Sequence, residues 1–217
     1  MMKIKNIVFD LGGVLIDLDG KESIRRFKEI GIADAGEWLD PYEQKGIFLE
    51  LENGKADVAT FCNQLCTYAR RELSLEEITW AWLGFIVNVP QYKLDYLLKL
   101  REKYKVYLLS NTNPIIQEQW ARTNKFSEAC RPINDYFDKM YTSYEIGITK
   151  PNRGIFEYML KDSGMNPSET LFIDDGARNI EVGISFGMQT YQPQNGEDWR
   201  EAINDIITQS QRRVGTE

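Results

Sequence analysis

Short apolar segments alternate with amphipathic segments along most of the chain. A short apolar run bounded by turn residues is typical of a buried strand, and apolar residues spaced by three or four are typical of a helix. The pattern predicts five strands, at residues 4–9, 105–109, 138–142, 170–173 and 188–191. It predicts helices between them, at residues 91–103, 114–125, 152–163 and 176–187. Strands that alternate with helices indicate an α/β fold, a doubly wound parallel sheet with helices on both faces.

Residues 18–89 break this alternation, because they carry roughly 70 residues of helical pattern without a convincing strand. An insert of this length with structure of its own is typical of a functional lid. We therefore predict an α/β core formed by residues 1–16 and 90–208, a helical cap formed by residues 17–89, and a frayed tail at residues 209–217.

Composition and charge narrow the function. The 217 residues suit one domain, or one domain with an insert. A net charge of −7 and the lack of a basic patch argue against a nucleic-acid partner. No apolar run is long enough to span a membrane, and the charged N-terminus does not fit a signal peptide. Three cysteines, an odd number, do not suggest a disulfide framework, so we expect a reducing, cytoplasmic location.

The chain contains no histidine. This excludes hydrolases that use a Ser-His-Asp or Cys-His arrangement, and it excludes zinc sites that depend on histidine ligands. Any catalysis must therefore rest on carboxylates, lysine, hydroxyl groups and backbone groups.

Polar side chains follow three of the predicted strands, at the point where each strand ends. Asp10 follows the first strand, Ser110 and Asn111 follow the second, and Asp174 and Asp175 follow the fourth. In an open parallel sheet, ligands bind beyond the carboxyl ends of the strands. We therefore expect these side chains to meet in one crevice.

The residue types in this crevice point to phosphate chemistry. Neighbouring carboxylates repel one another and require a cation, and a site made only of oxygen ligands suits Mg²⁺. Ser110 precedes a helix N-terminus, which favours an anion, and Lys150 adds a positive charge suited to phosphate. The bare backbone at Gly12 and Gly13 lets a phosphate approach the N–H groups of the loop. Together these groups predict phosphoryl transfer with Asp10 as a nucleophile that forms an aspartyl-phosphate.

Four motifs, taken in order, resemble those of the haloacid dehalogenase-like hydrolase superfamily: IVFDLGGVL, LLSNT, the Lys150-Pro151 pair and FIDDGARNIEVG. The insert after the first motif resembles the helical C1 cap of that superfamily. Within that superfamily, the four motifs look most like those of sugar-phosphate phosphatases that act on glucose 1-phosphate. The resemblance implies a Mg²⁺-dependent phosphatase of a small, sugar-like phosphomonoester, present as a monomer or homodimer, whose cap closes over the substrate.

The resemblance also assigns roles to the first motif and to the lysine. Asp10 would be the nucleophile and a Mg²⁺ ligand, and Gly12 would offer its backbone carbonyl to the metal. Leu11 and Gly12 would contact the phosphate. Lys150 would be the second catalytic residue, bridging Asp10 and the phosphoryl group that it also binds.

The second and fourth motifs take the remaining roles. Ser110 and Asn111 would bind the transferring phosphoryl group. Asp175 would ligate Mg²⁺ directly, and Asp174 would be a further ligand or would support the site from behind. Asn179, one turn into the following helix, would hold the acidic loop.

Gly12 departs from the family pattern, because most phosphatases of the superfamily carry a second aspartate there that protonates the leaving group and then activates water. Three interpretations stay open. The acid comes from elsewhere, such as the cap or a bound water. The leaving group needs little help. Or the chain is a non-catalytic phosphate-binding or regulatory protein. Separately, residues 43–46 are expected where a loop of the cap reaches the site.

Two further expectations concern acids close to the first motif. Asp17 and Asp19 are near enough in sequence to replace the missing acid, but we expect both in the segment leading to the cap, facing solvent.

The remaining alternative is a metal-independent haloacid dehalogenase that uses Asp10, and the Asp174-Asp175 pair argues against it.

Overall fold

The computed structural model describes residues 2–40 and 44–214, which form seven strands and eleven α-helices. The strands are β1 (Asn6–Phe9), β2 (Asp17–Leu18), β3 (Ile86–Asn88), β4 (Lys105–Ser110), β5 (Lys139–Thr142), β6 (Thr170–Ile173) and β7 (Gln189–Tyr191). Five of them form a parallel sheet in the order β5-β4-β1-β6-β7. The predicted α/β fold is therefore confirmed.

The helices fill the intervals between the strands. They are α1 (Gly20–Glu29), α2 (Ala35–Trp38), α3 (Gly46–Glu52), α4 (Val58–Ala69), α5 (Leu75–Trp82), α6 (Gln91–Arg101), α7 (Pro114–Ile116), α8 (Ser143–Ile146), α9 (Arg153–Ser163), α10 (Ala177–Ser185) and α11 (Arg200–Val214). None of these helices has the length and apolar character needed to cross a membrane.

The sheet is covered on both faces because successive strand residues point in opposite directions. In β1, Ile7 and Phe9 join the larger apolar cluster, to which α6 and α11 contribute. Val8 points the other way and joins a second cluster with residues of α9 and α10. The unbroken apolar run Ile7-Val8-Phe9 in β1 is what this double burial requires.

The last helix contradicts part of one prediction. Helix α11 continues through residues 209–214, which we expected to be frayed. Ile203 and Ile207, one turn apart, pack into the larger cluster, and Ser210 is also buried. These contacts hold the helix against the core beyond residue 208. Residues 215–217 lie outside the described residues.

Helices α1–α5 lie between β2 and β3 in the chain and share an aromatic core. Phe27, Phe48, Phe61 and Trp82 form ring contacts with centroid separations of 5.1–6.2 Å. Strands β2 and β3 pair with each other as an antiparallel ribbon at the base of this insert. The expectation of an insert without strands is therefore wrong at its two ends. Strands of two and three residues are too short to give a recognisable alternation.

Candidate active site

The sheet order explains where the predicted site residues meet. Strand β1 lies at the centre, with β4 on one side and β6 on the other, all parallel. Asp10 follows β1, Ser110 ends β4, and Asp174 follows β6. The three strands therefore deliver these side chains to one edge, where open α/β sheets bind their ligands.

Lys150 is buried between two carboxylates. Its Nζ lies 2.8 Å from Asp10 Oδ1 and 2.7 Å from Asp174 Oδ2, and the residue is 4% exposed. Burial alone would lower the pKa of Lys150, but the two carboxylates outweigh burial and raise it. Lys150 therefore keeps its positive charge at neutral pH.

Asp174 is fully buried, and the surrounding protein engages both of its oxygens. Oδ2 accepts from Lys150, while Oδ1 accepts from the Gly176 backbone N–H and from Asn179 Nδ2, each at 2.8 Å. Asn179 thus holds the acidic loop, as expected. With its oxygens occupied in this way, Asp174 is better suited to supporting the site than to acting as a principal metal ligand.

Asp175 lies against the first loop, at a position that requires glycine. Gly13 has φ +69°, and a Cβ placed there would lie 2.1 Å from Asp175 Oδ2. Burial, and after it repulsion by Asp174, raises the pKa of Asp175 to about 6. The absence of a side chain at Gly13 therefore lets the carboxylate approach the loop that follows β1.

Asp10, Asp174 and Asp175 form a cluster whose nearest carboxylate oxygens all lie within 4.8 Å of one another. Burial raises the pKa of Asp10 to about 7; Asp174 and Asp175 add to this effect, and Lys150 opposes it. One lysine among three carboxylates leaves an excess of negative charge. Oxygen ligands with such an excess fit a hard divalent cation such as Mg²⁺.

Asn111 fixes the loop that carries Lys150. Its Nδ2 donates to the Lys150 carbonyl at 3.0 Å, and the Lys150 N–H donates to Asn111 Oδ1 at 2.7 Å. The Ser110 hydroxyl is buried and donates to the Asn111 carbonyl at 3.3 Å. Asn111 therefore has a positioning function that its motif did not indicate, through both atoms of its side-chain amide.

Two adjoining cavities open onto these groups. The smaller, of about 240 Å³, is lined by Asp10, Gly12, Lys150 and Asp175 among others. The larger, of about 730 Å³, extends between the strand-end loops and the helical insert. Its lining residues are Gln44, Leu49, Glu52, Asn111, Thr149, Lys150, Pro151, Asn152, Asp175, Gly176, Ala177, Arg178, Asn179 and Gln192.

The insert meets this cavity partly where expected. Gln44 lines it, whereas Lys45 and Gly46 are exposed and Glu43 lies outside the described residues. Glu52 also lines it, and the sequence pattern did not single it out. A signal was present, because Glu52 follows Phe48 by four residues and so falls on the apolar face of α3.

The two acids near the first loop have separate surroundings. Asp17 is half-buried and lies 3.5 Å from Lys93 Nζ. Asp19 is exposed, as expected, and its Oδ1 accepts from the Lys21 N–H at 2.9 Å as the N-cap of α1. Asp19 also lines the smaller cavity together with Asp10.

Comparison with known proteins identifies relatives over nearly the whole chain. A family model described as haloacid dehalogenase-like hydrolase matches residues 4–187. The chain is 52% identical over 204 residues to a D-ribitol-5-phosphate phosphatase of Bacteroides thetaiotaomicron, covering 94% of this chain and 98% of that protein.

Solved structures give the same picture. A predicted HAD-like family hydrolase (HAD, haloacid dehalogenase) from Porphyromonas gingivalis superposes with a TM-score of 0.89 at 47% identity, covering 94% of this chain and 98% of the other. A HAD family enzyme from B. thetaiotaomicron, in complex with magnesium and inorganic phosphate, superposes with a TM-score of 0.84 at 44% identity. That match covers 92% of this chain and 98% of the other.

Proposed function

This chain belongs to the haloacid dehalogenase-like hydrolase family, and from that premise we propose that its substrate is the phosphate ester of a short polyol or sugar. The predicted family, the class of phosphoric monoester hydrolase and the Mg²⁺ cofactor are confirmed. The substrate is a small molecule that carries a phosphomonoester. We propose the carbon skeleton of this substrate, the role of each site residue and the path of the reaction.

A linear five-carbon polyol phosphate of the ribitol 5-phosphate type is the proposed substrate. The support is the 52% identity, over nearly the full length, to a phosphatase named for that compound. The cavity of about 730 Å³ offers Gln44, Asn152 and Gln192 as neutral polar groups suited to hydroxyls. An anion of this kind also agrees with the lysine beside Asp10.

Asp10 is the proposed nucleophile, and the observation that carries this proposal is its pairing with Lys150 at 2.8 Å beside the acid pair. The carboxylate attacks phosphorus, an aspartyl-phosphate forms, and the bond from phosphorus to the alcohol oxygen breaks. Lys150 holds Asp10 in position and offsets negative charge on the transferring group. Leu11, Gly12, Ser110 and Asn111 surround the phosphoryl group.

Mg²⁺ would be held by Asp10, Asp175 and the carbonyl of Gly12, with Asp174 in support through Lys150 and Asn179. When bound, it supplies positive charge that draws the phosphate and the carboxylates together. The pKa values of Asp10 and Asp175, raised to about 7 and about 6, support a site that is short of positive charge without the cation.

The remaining proposals concern organisation. Residues 1–16 and 90–208, with the end of α11 packed beside them, serve as the catalytic core and residues 17–89 as a cap that covers the substrate, which argues against macromolecular substrates, nucleic acid included. A cytoplasmic location and a monomer or homodimer remain predictions.

The test is phosphate release from a panel that includes ribitol 5-phosphate, ribose 5-phosphate, glucose 1-phosphate and glycerol 3-phosphate, with Mg²⁺ or with EDTA. We expect Mg²⁺-dependent turnover with preference for the five-carbon polyol ester. Asp10→Asn removes the attacking oxygen's charge and should lower kcat on the order of 10⁴-fold or more, as removal of other enzymatic nucleophiles does. Asp205→Asn, at an exposed site on α11, is the matched control.

Three other outcomes would contradict the role proposed for Asp10 or the proposed function. Turnover that survives Asp10→Asn would remove Asp10 from the nucleophile role. Phosphate binding without release from any ester would favour the non-catalytic alternative raised by Gly12. Metal-independent release of halide from a haloacid would favour the dehalogenase alternative.

A further inference from the structure

Hydrolysis of an alkyl phosphate needs a proton donor, because the alcohol oxygen leaves as a strongly basic alkoxide unless it is protonated. Histidine is absent from the chain, and Lys150 is held between Asp10 and Asp174. Gly12, two residues after the nucleophile, has no side chain to supply the proton. The donor must therefore come from another part of the molecule.

The space at Gly12 is already filled by an apolar side chain. A Cβ placed there would lie 2.6 Å from Leu18 Cδ1. Leu18 belongs to β2, the strand that leads into the helical insert. An acid at position 12 would therefore have to displace a side chain that belongs to the connection with the insert.

Glu52, a buried residue of the insert, borders a cavity that Gly12 and Leu18 also line. Glu52, the last residue of α3, is 8% exposed and forms no hydrogen bond or ion pair with any described residue. It lines the larger cavity together with Lys150 and Asp175, and it shares a third, smaller cavity with Gly12 and Asn111. Because Glu52 borders both cavities and its carboxyl pairs with no described group, that carboxyl is available to a molecule bound there.

The backbone after Glu52 is fixed against the core. Gly54 has φ +69°, and a Cβ placed there would lie 2.4 Å from the Tyr144 carbonyl oxygen. Only glycine allows the turn after α3 to approach α8 this closely. Glu52 is thus held two residues from a point where the insert touches the core.

We propose that Glu52 is the proton donor to the leaving alcohol, a role that rests on the phosphatase function proposed above. As Asp10 bonds to phosphorus and the phosphorus–oxygen bond to the alcohol breaks, the Glu52 proton passes to the alcohol oxygen. Water then attacks phosphorus, its proton returns to the Glu52 carboxylate, and phosphate and the Asp10 carboxylate are released. One proton leaves Glu52 and one returns in each cycle.

The surroundings of Glu52 favour the protonated form that this role needs. Burial, and after it repulsion by Asp10, raises the pKa of Glu52 to about 8. Its place at the C-terminal end of α3 further disfavours a negative charge. Asp19 is the competing acid, but it is exposed and caps the N-terminus of α1, where a negative charge is favoured.

The test separates leaving-group protonation from every other role by varying the leaving group. Glu52→Gln, Glu52→Asp, Asp19→Asn and the exposed control Glu50→Gln are compared in rapid-mixing experiments with Mg²⁺. One substrate is the alkyl phosphate that the panel identifies, and the other is 4-nitrophenyl phosphate, whose phenolate leaves without a proton. The first release of alcohol or nitrophenolate reports the phosphorylation of Asp10.

We expect Glu52→Gln to slow phosphorylation by the alkyl phosphate by about 10²- to 10⁴-fold, the usual range for a general acid. The burst of nitrophenolate should keep its rate, and only the later steady rate should fall, because water has lost its base. Glu52→Asp should recover part of the alkyl rate. Binding of inorganic phosphate should match the wild type, since glutamine copies the shape of the protonated side chain.

Equal slowing of the burst with both substrates, or a loss with the alkyl ester in Asp19→Asn instead, would overturn the role of Glu52. A wild-type enzyme that releases phosphate from neither ester would instead overturn the phosphatase function itself. The two failures are therefore distinguishable.

Discussion

Lys150 and Lys93 are both buried, yet their surroundings differ in the number of carboxylates within reach. Lys150 Nζ contacts Asp10 and Asp174 at 2.8 Å and 2.7 Å. Lys93, in the first turn of α6, donates to the Val14 carbonyl at 2.9 Å and lies 3.5 Å from Asp17. Lys150 Nζ therefore lies between two carboxylates, whereas the shortest polar contact of Lys93 Nζ is with a carbonyl oxygen.

This difference reverses the sign of the pKa shift. Burial lowers the pKa of Lys93, and the more distant Asp17 only partly opposes it. Burial acts in the same direction on Lys150, but two close carboxylates raise its pKa. The comparison shows that close carboxylates, and not burial, decide whether a buried lysine holds its charge firmly.

The two lysines also differ in what they hold. Lys150 fixes the groups proposed to react. Lys93 fixes the loop after β1, where Val14 also accepts from Trp199 Nε1 at 2.8 Å. That loop leads to the β2–β3 ribbon at the base of the helical insert, so Lys93 is a tie between the core and the connection to the insert.

Among the changes that test this comparison of the two lysines, Lys150→Met should have the largest effect. It removes the positive charge beside the nucleophile, and kcat should fall by about 10²- to 10³-fold, as when one charge-stabilising donor is lost elsewhere. Lys93→Met removes an equally buried lysine and should leave kcat within about threefold of the wild type, because it touches no reacting group. Phosphate release with saturating Mg²⁺ measures both, with circular dichroism to verify folding.

Equal losses of kcat in the two folded variants would break the comparison. That result would mean that the tie at Val14 controls the geometry of Asp10 as strongly as the direct ion pair does.

The strand-end residues could be predicted from sequence because topology alone brings them together. Once the pattern indicates a parallel sheet, Asp10, Asp174 and the end of β4 must lie at one edge, whatever the side-chain details. Lys150 followed from its motif and its charge. The predicted strand bounds were close to the observed ones because buried strands carry a strong apolar pattern.

Glu52 and Lys93 were missed because each is a charged residue on the apolar face of a helix. Glu52 follows Phe48 by four residues, and Lys93 precedes Leu97 by four. A pattern read for helices treats such a charge as a break in the apolar face. Asp10, which repels Glu52, and Val14, which accepts from Lys93, both lie far away in sequence, so only the folded chain brings these groups together.

A middle-sized effect is expected when Lys150 loses one of its two carboxylates. The pKa of Asp10 is raised to about 7, so folding takes up a proton between the unfolded value near 4 and that value. Stability without Mg²⁺ should therefore fall as pH rises through this interval. Asp10→Asn removes the buried charge and should raise the free energy of unfolding by about 2 kcal/mol at pH 8 but much less at pH 4, where Asp10 is protonated in the folded protein and about half protonated in the unfolded chain.

Urea unfolding in EDTA at pH 4 and pH 8 measures this difference, with Asp205→Asn as an exposed control. Addition of Mg²⁺ at pH 8 should stabilise the wild type more than the variant. A variant that is less stable than the wild type at pH 8 would contradict this expectation. It would show that the attraction between Lys150 and Asp10 outweighs the cost of burying the Asp10 charge beside the other carboxylates.

The smallest effect is expected at the other lysine, and its sign should be opposite to that at Lys150. Because the pKa of Lys93 is lowered below 10.5, the folded protein loses this proton before the unfolded chain does, and the cost of burying the charge is relieved as pH rises toward that value. Lys93→Met should therefore stabilise the protein by about 1 kcal/mol at pH 8, within the range seen when buried charges are replaced by apolar residues. The gain should shrink by pH 10.5, whereas Lys99→Met, exposed on the same helix, should show no such trend.

Lys150, whose pKa is raised, stabilises the protein below 10.5 and loses this contribution only as pH rises through its higher folded value. A Lys93→Met gain that stays constant or grows from pH 8 to pH 10.5 in urea unfolding would mean that Lys93 holds its charge as firmly as Lys150 does, and that Asp17 at 3.5 Å is sufficient for a buried lysine.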